Sequence, residues 1–566
     1  MVSISSLLYP LLLVSLGATS PVHLRDHDTS LGDQLKFTPG GVSILCLLPF
    51  VSRALCPRST SPGTTVSTPI GTAHGTQASK GAFRFAVKYG SAARWQDSQV
   101  SNTWQLPNNS TDVTALPLAC AQTDLDPSAY SEDCLSMLLY VPQGISSSSK
   151  VPTFLWIHGG SFVSGSATDA GLDGSNFAIA TNSIVAVVQY RLGALGFNSP
   201  DGRTNFAVKD IMTALQFLHT VIPSFGGDAT KITIAGQSSG ANMVRALLAV
   251  PGASWLFQSA VLQSDPMDYG FLSASVQSEL QSYFNTQINC AATDNACINA
   301  LSLDDVLTAS DALYDNGVGV DQSATQEEPM RPVHDGNLIT STLDSMTPFP
   351  WQSKPILLST VMNEAGPAIY NEFTDPITAS FFDLVVDSAF EQPRAGNLLN
   401  SSHYRVPVLA DGAADARVQL EAMGTDQVWR CPTWTFARNW AGHGGSAFVG
   451  LYTLGETYPD NTGTPFCTQA GSVCHEDDIE IVFGTAANPS PAQSALITEV
   501  QARYNAFLHT GNPNPAHSSY ATWSAASSSS VPALHLGSSG TATMGACDPT
   551  FWGTTNVPYD YQVFGI

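Results

Sequence analysis

Three short apolar segments constrain the fold of this chain more than any other feature. They are residues 153–157, 184–188 and 232–235, and each is rich in β-branched or aromatic side chains. Apolar runs without polar alternation are typical of strands that are buried on both faces of a sheet. Between the second and third runs, apolar residues recur from Ile211 to Val221 at the spacing of one helix face. Strand, helix and strand in this order predict an α/β fold with a mainly parallel central sheet and helices on both faces.

The third apolar segment leads directly into residues 236–240, whose sequence is GQSSG. Residues 241–248 continue it as a predicted helix. When a strand, a sharp turn and a helix follow one another, the central serine of a G-x-S-x-G pattern projects at the carboxyl end of the sheet. Ser238 is therefore the candidate nucleophile. The alternative interpretation is that residues 236–240 form a simple glycine-rich turn.

The charge of the chain excludes one large class of partners. The sequence has 22 Lys and Arg against 46 Asp and Glu, which gives a formal net charge of −24. Nucleic-acid binding depends on clustered cations that release counterions from phosphates, so we expect no nucleic-acid partner. Hydrophobic residues reach 43% and charged residues only 12%. This balance favours a globular protein over a disordered one.

The N-terminus carries the pattern of a secretory signal peptide. In residues 1–20, an apolar run from Leu7 to Leu16 precedes several small residues. A buried N-terminal helix is the alternative. Ten cysteines also favour an oxidising, extracellular compartment. The N-x-S/T sites are Asn108, Asn109 and Asn400. No later stretch has the length of uninterrupted apolar sequence that a transmembrane helix needs, so a secreted glycoprotein without stable membrane insertion is expected.

Several sequence blocks resemble those of the type-B carboxylesterases and lipases, the α/β-hydrolase family that includes the cholinesterases. In family order they are residues 131–135 (SEDCL), 156–162 (WIHGGSF), 190–197 (YRLGALGF), 225–228 (FGGD) and 236–240 (GQSSG). The resemblance implies the α/β-hydrolase fold and a single catalytic domain over residues 65–566. It also implies a small-molecule or lipid ester as substrate, without a metal or an organic cofactor.

Residues 21–64 have no counterpart in that family. They carry Cys46 and Cys56 and a short apolar patch. A propeptide, or sequence included by a misassigned gene structure, would explain them.

The resemblance assigns catalytic roles to three side chains that are far apart in the sequence. Ser238 would attack the ester, His475 would act as the general base, and Glu364 would orient His475. Serine, acid and histidine occur in this order in α/β-hydrolases. His158 is the rival for the base, although its family position lies behind the oxyanion loop. A structural surface role is the alternative for Glu364, and Asp335 matches a family block in which the aspartate is structural.

The oxyanion hole is also implied by resemblance. The backbone N–H groups of Gly160, Ser161 and Ser239 would stabilise the negative charge that develops on the carbonyl oxygen. Family members often carry Glu before the nucleophile, whereas this chain has the neutral Gln237. Any contribution of that negative charge near the histidine is therefore missing here.

The cysteines cannot be paired by counting alone. Resemblance implies the pairs Cys120–Cys134, Cys290–Cys297 and Cys431–Cys547. Cys467 and Cys474 are close in sequence, and we hypothesise that they pair and stiffen the segment that presents His475.

The segment between Cys120 and Cys134 indicates the substrate class. It is short and contains no tryptophan. In cholinesterases this loop carries a Trp that holds the quaternary ammonium by cation–π attraction, and lidded lipases of the family have a longer flap. A carboxylesterase for small to medium acyl groups is therefore favoured. A lipase or sterol esterase for long-chain esters, and a non-catalytic adhesion or binding module, remain as alternatives.

Overall fold

The computed structural model describes residues 63–325, 328–343, 354–390, 392–405, 415–548 and 551. The predicted signal peptide at residues 1–20 lies outside these residues. So do residues 21–62 of the unassigned segment, which include Cys46 and Cys56.

The strands, numbered in chain order, are Thr65–Thr68 (β1), Gly71–His74 (β2), Thr76–Gln77 (β3), Ala82–Lys88 (β4), Gly90–Ser91 (β5), Gln99–Val100 (β6), Ala119–Cys120 (β7), Tyr130–Ser131 (β8), Ser136–Pro142 (β9), Val151–Ile157 (β10), Ile184–Val188 (β11), Gly227–Gln237 (β12), Ser259–Gln263 (β13), Leu272–Ser273 (β14), Val333–His334 (β15), Ile356–Val361 (β16), Ala447–Tyr452 (β17) and Leu534–Leu536 (β18).

The α-helices are Ser175–Thr181 (α1), Gly193–Phe197 (α2), Phe206–Val221 (α3), Ser239–Leu248 (α4), Ala274–Gln287 (α5), Asn295–Ala300 (α6), Leu303–Val320 (α7), Gly366–Glu372 (α8), Ala379–Ala389 (α9), Arg394–Leu399 (α10), Arg417–Gly424 (α11), Cys431–Gly442 (α12), Ile479–Phe483 (α13) and Pro491–Thr510 (α14). A π-helical segment, Thr425–Arg430, joins α11 to α12.

The largest sheet has ten strands in the order β18-β17-β16-β13-β12-β10-β11-β9-β4-β3. Neighbours from β18 to β11 are parallel, whereas β9, β4 and β3 extend the sheet in antiparallel fashion. The three predicted apolar runs lie in β10, β11 and β12, with β10 between the other two. The mainly parallel α/β sheet is confirmed, and the antiparallel end is an addition that the apolar runs did not indicate.

Each face of the sheet has its own hydrophobic core. In β10, Leu155 and Ile157 join the core that includes residues of α3 and α4. Phe154 and Trp156 join the opposite core, which includes Tyr504 of α14. Alternate residues of a strand point to opposite faces, so both sets are buried only if helices cover both sides. Burial of each such side chain stabilises the fold by about 1.5–3 kcal/mol, which explains why the buried runs of these strands lack polar alternation.

The parallel strands end at one edge of the sheet, and the predicted site residues lie there. Ser238 follows the last residue of β12, and Glu364 follows β16, which ends at Val361. The predicted oxyanion segment follows β10, which ends at Ile157. His475 lies in the connection between β17 and α13. Chain segments that are distant in sequence therefore converge where parallel sheets usually bind ligands.

Within the described ranges, none of the helices combines the length and the apolar character that crossing a membrane would require.

Candidate active site

Ser238 lies at a sharp turn between β12 and α4. Its backbone has φ 55° and ψ −129°, a conformation that is uncommon for a residue with a side chain. The Ser238 N–H donates to the carbonyl of Gln263 at 2.9 Å, and its own carbonyl accepts from Ala241 N–H at 2.9 Å. These bonds hold a strained backbone that costs on the order of 1–3 kcal/mol. The strained strand–turn–helix geometry is that of a nucleophile elbow.

The two glycines of the GQSSG segment are required by close backbone approach. A Cβ on Gly236 would lie 2.4 Å from the carbonyl carbon of Gly240. A Cβ on Gly240 would lie 2.2 Å from the carbonyl oxygen of Ile157 in β10. Neither position can take a side chain without moving the backbone, so the glycines permit the turn and its packing against the neighbouring strand.

The predicted oxyanion segment packs against the elbow. A Cβ on Gly159 would lie 3.2 Å from Cβ of Ser238. The next residues, Gly160 and Ser161, have φ angles of 104° and 50°, and the carbonyl of Gly160 accepts from Ser164 N–H at 2.9 Å. The left-handed backbone turns sharply beside Ser238. The structure therefore brings the chain segments of two predicted oxyanion donors, Gly160 and Ser161, close to the candidate nucleophile.

His475 and Glu364 are in direct contact. His475 Nδ1 lies 2.6 Å from Glu364 Oε2, although the residues are 111 positions apart. Glu364 Oε1 accepts from the Val361 N–H at 2.8 Å. The Glu364 side chain is fully buried and that of His475 is 15% exposed. Because a carboxylate only accepts hydrogen bonds, this contact places the Nδ1 proton on the ring and leaves Nε2 as an acceptor in the neutral form.

The connection that presents His475 is held on several sides. Asn461 Nδ2 donates to the carbonyl of His475 at 2.6 Å, and Cys474 N–H donates to Asp477 Oδ2 at 2.7 Å. A disulfide joins Cys467 to Cys474, the residue before the histidine. The position of the His475 ring is therefore fixed by the bonds of the surrounding chain segment as well as by Glu364.

Gln237 brings the elbow into contact with the histidine. Gln237 Nε2 lies 3.1 Å from His475 Nε2, and Gln237 is fully buried. Ser238 is the next residue, so the imidazole lies at the elbow. The family resemblance places residue 237 near the histidine, but the GQSSG pattern by itself does not indicate this contact, which spans 238 residues of sequence.

The charge environment favours the imidazolium form of His475. Burial alone would lower the pKa of the ring. The hydrogen bond and charge of Glu364, with further charge from Glu476 and Asp478, outweigh burial and raise the pKa of His475 to about 9. Burial raises the pKa of Glu476 to about 8 and that of Asp478 to about 7. No sequence motif indicated that these acidic side chains gather around the histidine.

Trp429 is a further neighbour of the histidine that sequence reasoning missed. Its ring centroid lies 5.5 Å from that of His475, with an interplanar angle of 52°. It is carried by the π-helical segment Thr425–Arg430. π-helical turns are rare and frequently occur at functional sites, but they have no sequence signature that could have indicated this one.

The rival residues have other positions. His158 is buried, its Nδ1 lies 2.8 Å from the Gly159 carbonyl, and its ring stacks on Tyr190 at 4.6 Å. Burial lowers the pKa of His158 to about 4. Asp335 Oδ1 accepts from three consecutive backbone N–H groups, the first that of Asn337 at 3.0 Å. His158 therefore packs beside the oxyanion segment, and Asp335 shapes a turn.

Among the residues that the structure describes there are four disulfides, and they join the pairs expected from the sequence. They are Cys120–Cys134, Cys290–Cys297, Cys431–Cys547 and Cys467–Cys474. In the part of the chain that the structure describes, one acid and thiol cluster has the spacing of metal ligands, Asp426 with Cys431 and Cys547. Since those two sulfurs are bonded to each other, they are not thiolates that could bind a metal.

The three predicted glycosylation sites differ in their contacts. Asn108 Nδ2 donates to the Leu116 carbonyl at 2.9 Å, and its Oδ1 accepts from Leu118 N–H at 3.2 Å. Asn109 is exposed. Asn400 is also exposed, and its Nδ2 donates to the Gly396 carbonyl at 2.7 Å.

The comparisons with known proteins agree with this geometry. A family model described as "Carboxylesterase family" matches residues 63–552. A probable N-octanoylanthranilate hydrolase, AqdA2 of Rhodococcus erythropolis, is 31% identical over 362 residues, which cover 62% of this chain and 69% of that protein. The cAMP-regulated D2 protein of Dictyostelium discoideum is 27% identical over 409 residues, covering 69% of this chain and 72% of that protein.

Among solved structures, a PNB esterase superposes with a TM-score of 0.68 at 22% sequence identity, covering 84% of this chain and 96% of that one. At this identity the likeness shows the fold alone. The family match shows that the chain belongs to the type-B carboxylesterase family of the α/β-hydrolase superfamily, and the structural likeness agrees with the fold of that superfamily. The protein is a carboxylic ester hydrolase.

Proposed function

We propose that this hydrolase cleaves small to medium acyl esters through a triad of Ser238, His475 and Glu364. The contact between His475 Nδ1 and Glu364 Oε2 carries the proposal, because it leaves Nε2 of the neutral ring unprotonated and able to act as a base. Nε2 faces the elbow through Gln237, the residue before Ser238. An acid-oriented imidazole beside a strained serine is the arrangement that serine acyl transfer requires.

The reaction proceeds through an acyl-enzyme. Ser238 Oγ attacks the ester carbonyl carbon while its proton passes to His475 Nε2. The backbone N–H groups of Gly160, Ser161 and Ser239 stabilise the tetrahedral oxyanion, and each such donor contributes about 3 kcal/mol. The C–O bond to the alcohol then breaks, and the alcohol leaves with the proton from Nε2. Water repeats these steps on the acyl-serine, which releases the acid and restores the Ser238 hydroxyl.

The short disulfide loop supports the preference for small to medium acyl groups. Gln122, just after Cys120, donates through Nε2 to the Gly165 carbonyl at 3.0 Å and accepts from Gly165 N–H at 3.1 Å. The start of the loop is thereby bonded to the chain that follows the oxyanion segment. A short loop held in this way leaves little length for a mobile lipid flap.

Hydrolysis of p-nitrophenyl acetate, butyrate and palmitate by wild type and Ser238→Ala tests the proposal. We expect acetate and butyrate to be preferred, and a loss of kcat of about 10⁴-fold or more in Ser238→Ala. Ser282→Ala, at an exposed position of α5, is the matched control and should retain wild-type turnover. Retained turnover in Ser238→Ala would overturn the mechanism.

Other outcomes of the same assay point to the alternatives. Preference for palmitate would indicate a lipase or sterol esterase. Failure of the folded wild type to hydrolyse any ester, or to react with a fluorophosphonate serine label, would indicate a binding module that has lost catalysis.

We also propose that the protein is secreted, after cleavage of residues 1–20, as a glycoprotein. The four disulfides support this proposal, because such bonds persist in oxidising compartments. N-terminal sequencing of the protein from culture medium tests it and also tests the boundary at residue 65. A mature chain that begins near residue 21 would contradict removal of the segment 21–64.

A further inference from the structure

The side chain of Gln237 occupies an unusual place beside the histidine. It is fully buried, and its Nε2 lies 3.1 Å from His475 Nε2. Among the residues that the structure describes, its Oε1 atom is buried without a hydrogen-bond partner. A buried amide oxygen without a hydrogen-bond partner is unfavourable, so its position calls for a functional explanation.

The direction of the hydrogen bond follows from the other side of the ring. Glu364 Oε2 accepts the Nδ1 proton of His475, so Nε2 of the neutral ring carries only a lone pair. The Gln237 amide N–H donates to that lone pair. In the proposed mechanism the same lone pair takes the proton of Ser238, and the inference rests on that mechanism.

Protonation of His475 changes Nε2 from a hydrogen-bond acceptor into a donor. The imidazolium Nε2–H is a donor, and it needs an acceptor where the amide N–H was. Rotation of the terminal amide by half a turn exchanges Gln237 Nε2 with Oε1 and supplies one. Gly159 has no side chain, which leaves room for this rotation, since a Cβ at that position would lie only 3.0 Å from Gln237 Oε1.

We propose that Gln237 is a positioning residue that hydrogen-bonds His475 in both of its protonation states. Its amide N–H holds the neutral ring that acts as the base, and its carbonyl oxygen accepts from the imidazolium. The oxygen that is unpartnered beside the neutral ring becomes partnered when the ring is protonated. An amide can serve in both roles, whereas a carboxylate at this position would only accept and would favour the charged ring throughout.

Four acidic side chains also interact electrostatically with the His475 ring, and they are the same in every variant at position 237. They are Glu364, Glu476, Asp477 and Asp478. Each variant is therefore compared with the wild type, which has the same acidic neighbours, and not with free histidine.

Gln237→Glu and Gln237→Leu separate the two roles. We expect Gln237→Glu to move the acid limb of the kcat/KM profile for p-nitrophenyl butyrate to higher pH by about one unit or more, because a carboxylate favours the imidazolium. We expect Gln237→Leu to lower kcat/KM by about three- to tenfold at its optimum without an upward shift, because one hydrogen bond is lost. A purely structural residue would lower activity in both variants and leave the limb in place.

Superimposable pH limbs in the wild type and Gln237→Glu would overturn the proposal. If a variant does not fold, the wild type provides the test by NMR with labelled histidine and glutamine. Cross-peaks between the Gln237 side-chain amide and the His475 ring hydrogens should be present at high pH, and their absence would overturn the proposal. Failure of the triad itself gives a different result, which is full turnover by Ser238→Ala.

Discussion

Asn363 and Val473 are joined by two hydrogen bonds. Asn363 N–H donates to the Val473 carbonyl at 2.9 Å, and Val473 N–H donates to Asn363 Oδ1 at 3.1 Å. Asn363 directly precedes Glu364, and Val473 lies two residues before His475. The pair fixes the acid segment to the histidine segment, so Asn363 contributes to the placement of the proposed triad.

Asn363→Ala should therefore reduce both stability and activity. The buried Val473 N–H loses its acceptor, which costs about 1–3 kcal/mol, and the spacing of Glu364 and His475 is loosened. Thermal unfolding and kcat/KM measure the two effects. Asn316→Ala, at an exposed helix position, is the control, and equal behaviour of the two variants would contradict the role of this link.

The pH dependence of activity should follow the raised pKa of His475. Burial lowers that pKa, but Glu364 and the other acidic groups outweigh it and raise it from 6.5 to about 9. The neutral ring is the base, so kcat/KM should fall as pH decreases through this range, and its acid limb should lie above pH 6.5. Asp478→Asn removes one negative neighbour and should move the limb downward. Asp383→Asn, at an exposed position, is the control and should leave the limb in place. A wild-type acid limb below pH 6.5 would contradict the prediction.

Stability should decrease as pH rises from acidic to neutral. Burial raises the pKa values of Glu421 and Asp478 to about 7 in the folded protein, against about 4 in an unfolded chain. Between these values the folded state binds more protons than the unfolded state, so the free energy of unfolding falls with rising pH. Thermal unfolding at pH 5 and pH 8 measures the change. Asp478→Asn keeps an acceptor for Gln263, and it should reduce the difference in stability between the two pH values. If the difference is the same in this variant as in the wild type, the prediction is contradicted.

The disulfide beside His475 should matter for catalysis more than a disulfide of equal span elsewhere. Cys467–Cys474 and Cys290–Cys297 both join residues seven positions apart. Removal of either pair by double substitution to Ser should cost about 2 kcal/mol of unfolding free energy. Only the double variant that lacks the Cys467–Cys474 disulfide should also lower kcat, because loss of this bond frees the segment that presents His475. Equal kcat values in the two double variants would refute this distinction.

Of the overlapping sites at Asn108 and Asn109, we expect the glycan on Asn109. Asn108 and Asn109 are both exposed, but both polar atoms of the Asn108 side chain bond to backbone groups of residues 116 and 118, whereas among the described residues the Asn109 side chain has no such bond. Peptide mass spectrometry of protein made through a secretory pathway measures the occupied residue. Asn109→Gln should abolish the modification at this segment, and a sugar found on Asn108 would contradict the prediction.

The local features of this protein could be predicted from sequence because they arise from short-range chemistry. The apolar runs in β10, β11 and β12 are buried on both faces, and their composition already indicated that. The glycines of the GQSSG turn were interpretable for the same reason, since only glycine tolerates the 2.2–2.4 Å approach of neighbouring backbone at residues 236 and 240. The family blocks then identified Glu364 and His475 as candidates.

Only the tertiary structure decided how those candidates meet and what surrounds them. The bond from His475 to Glu364 spans 111 residues, and the contact with Gln237 spans 238. No local pattern encodes such contacts, because they depend on the parallel strands ending at one edge of the sheet. The raised pKa of His475 is decided in the same way, since it reflects burial and acidic side chains that the fold gathers around the ring. Sequence determined which residues could do the chemistry, and packing determined their distances, their charge environment and the role of Gln237.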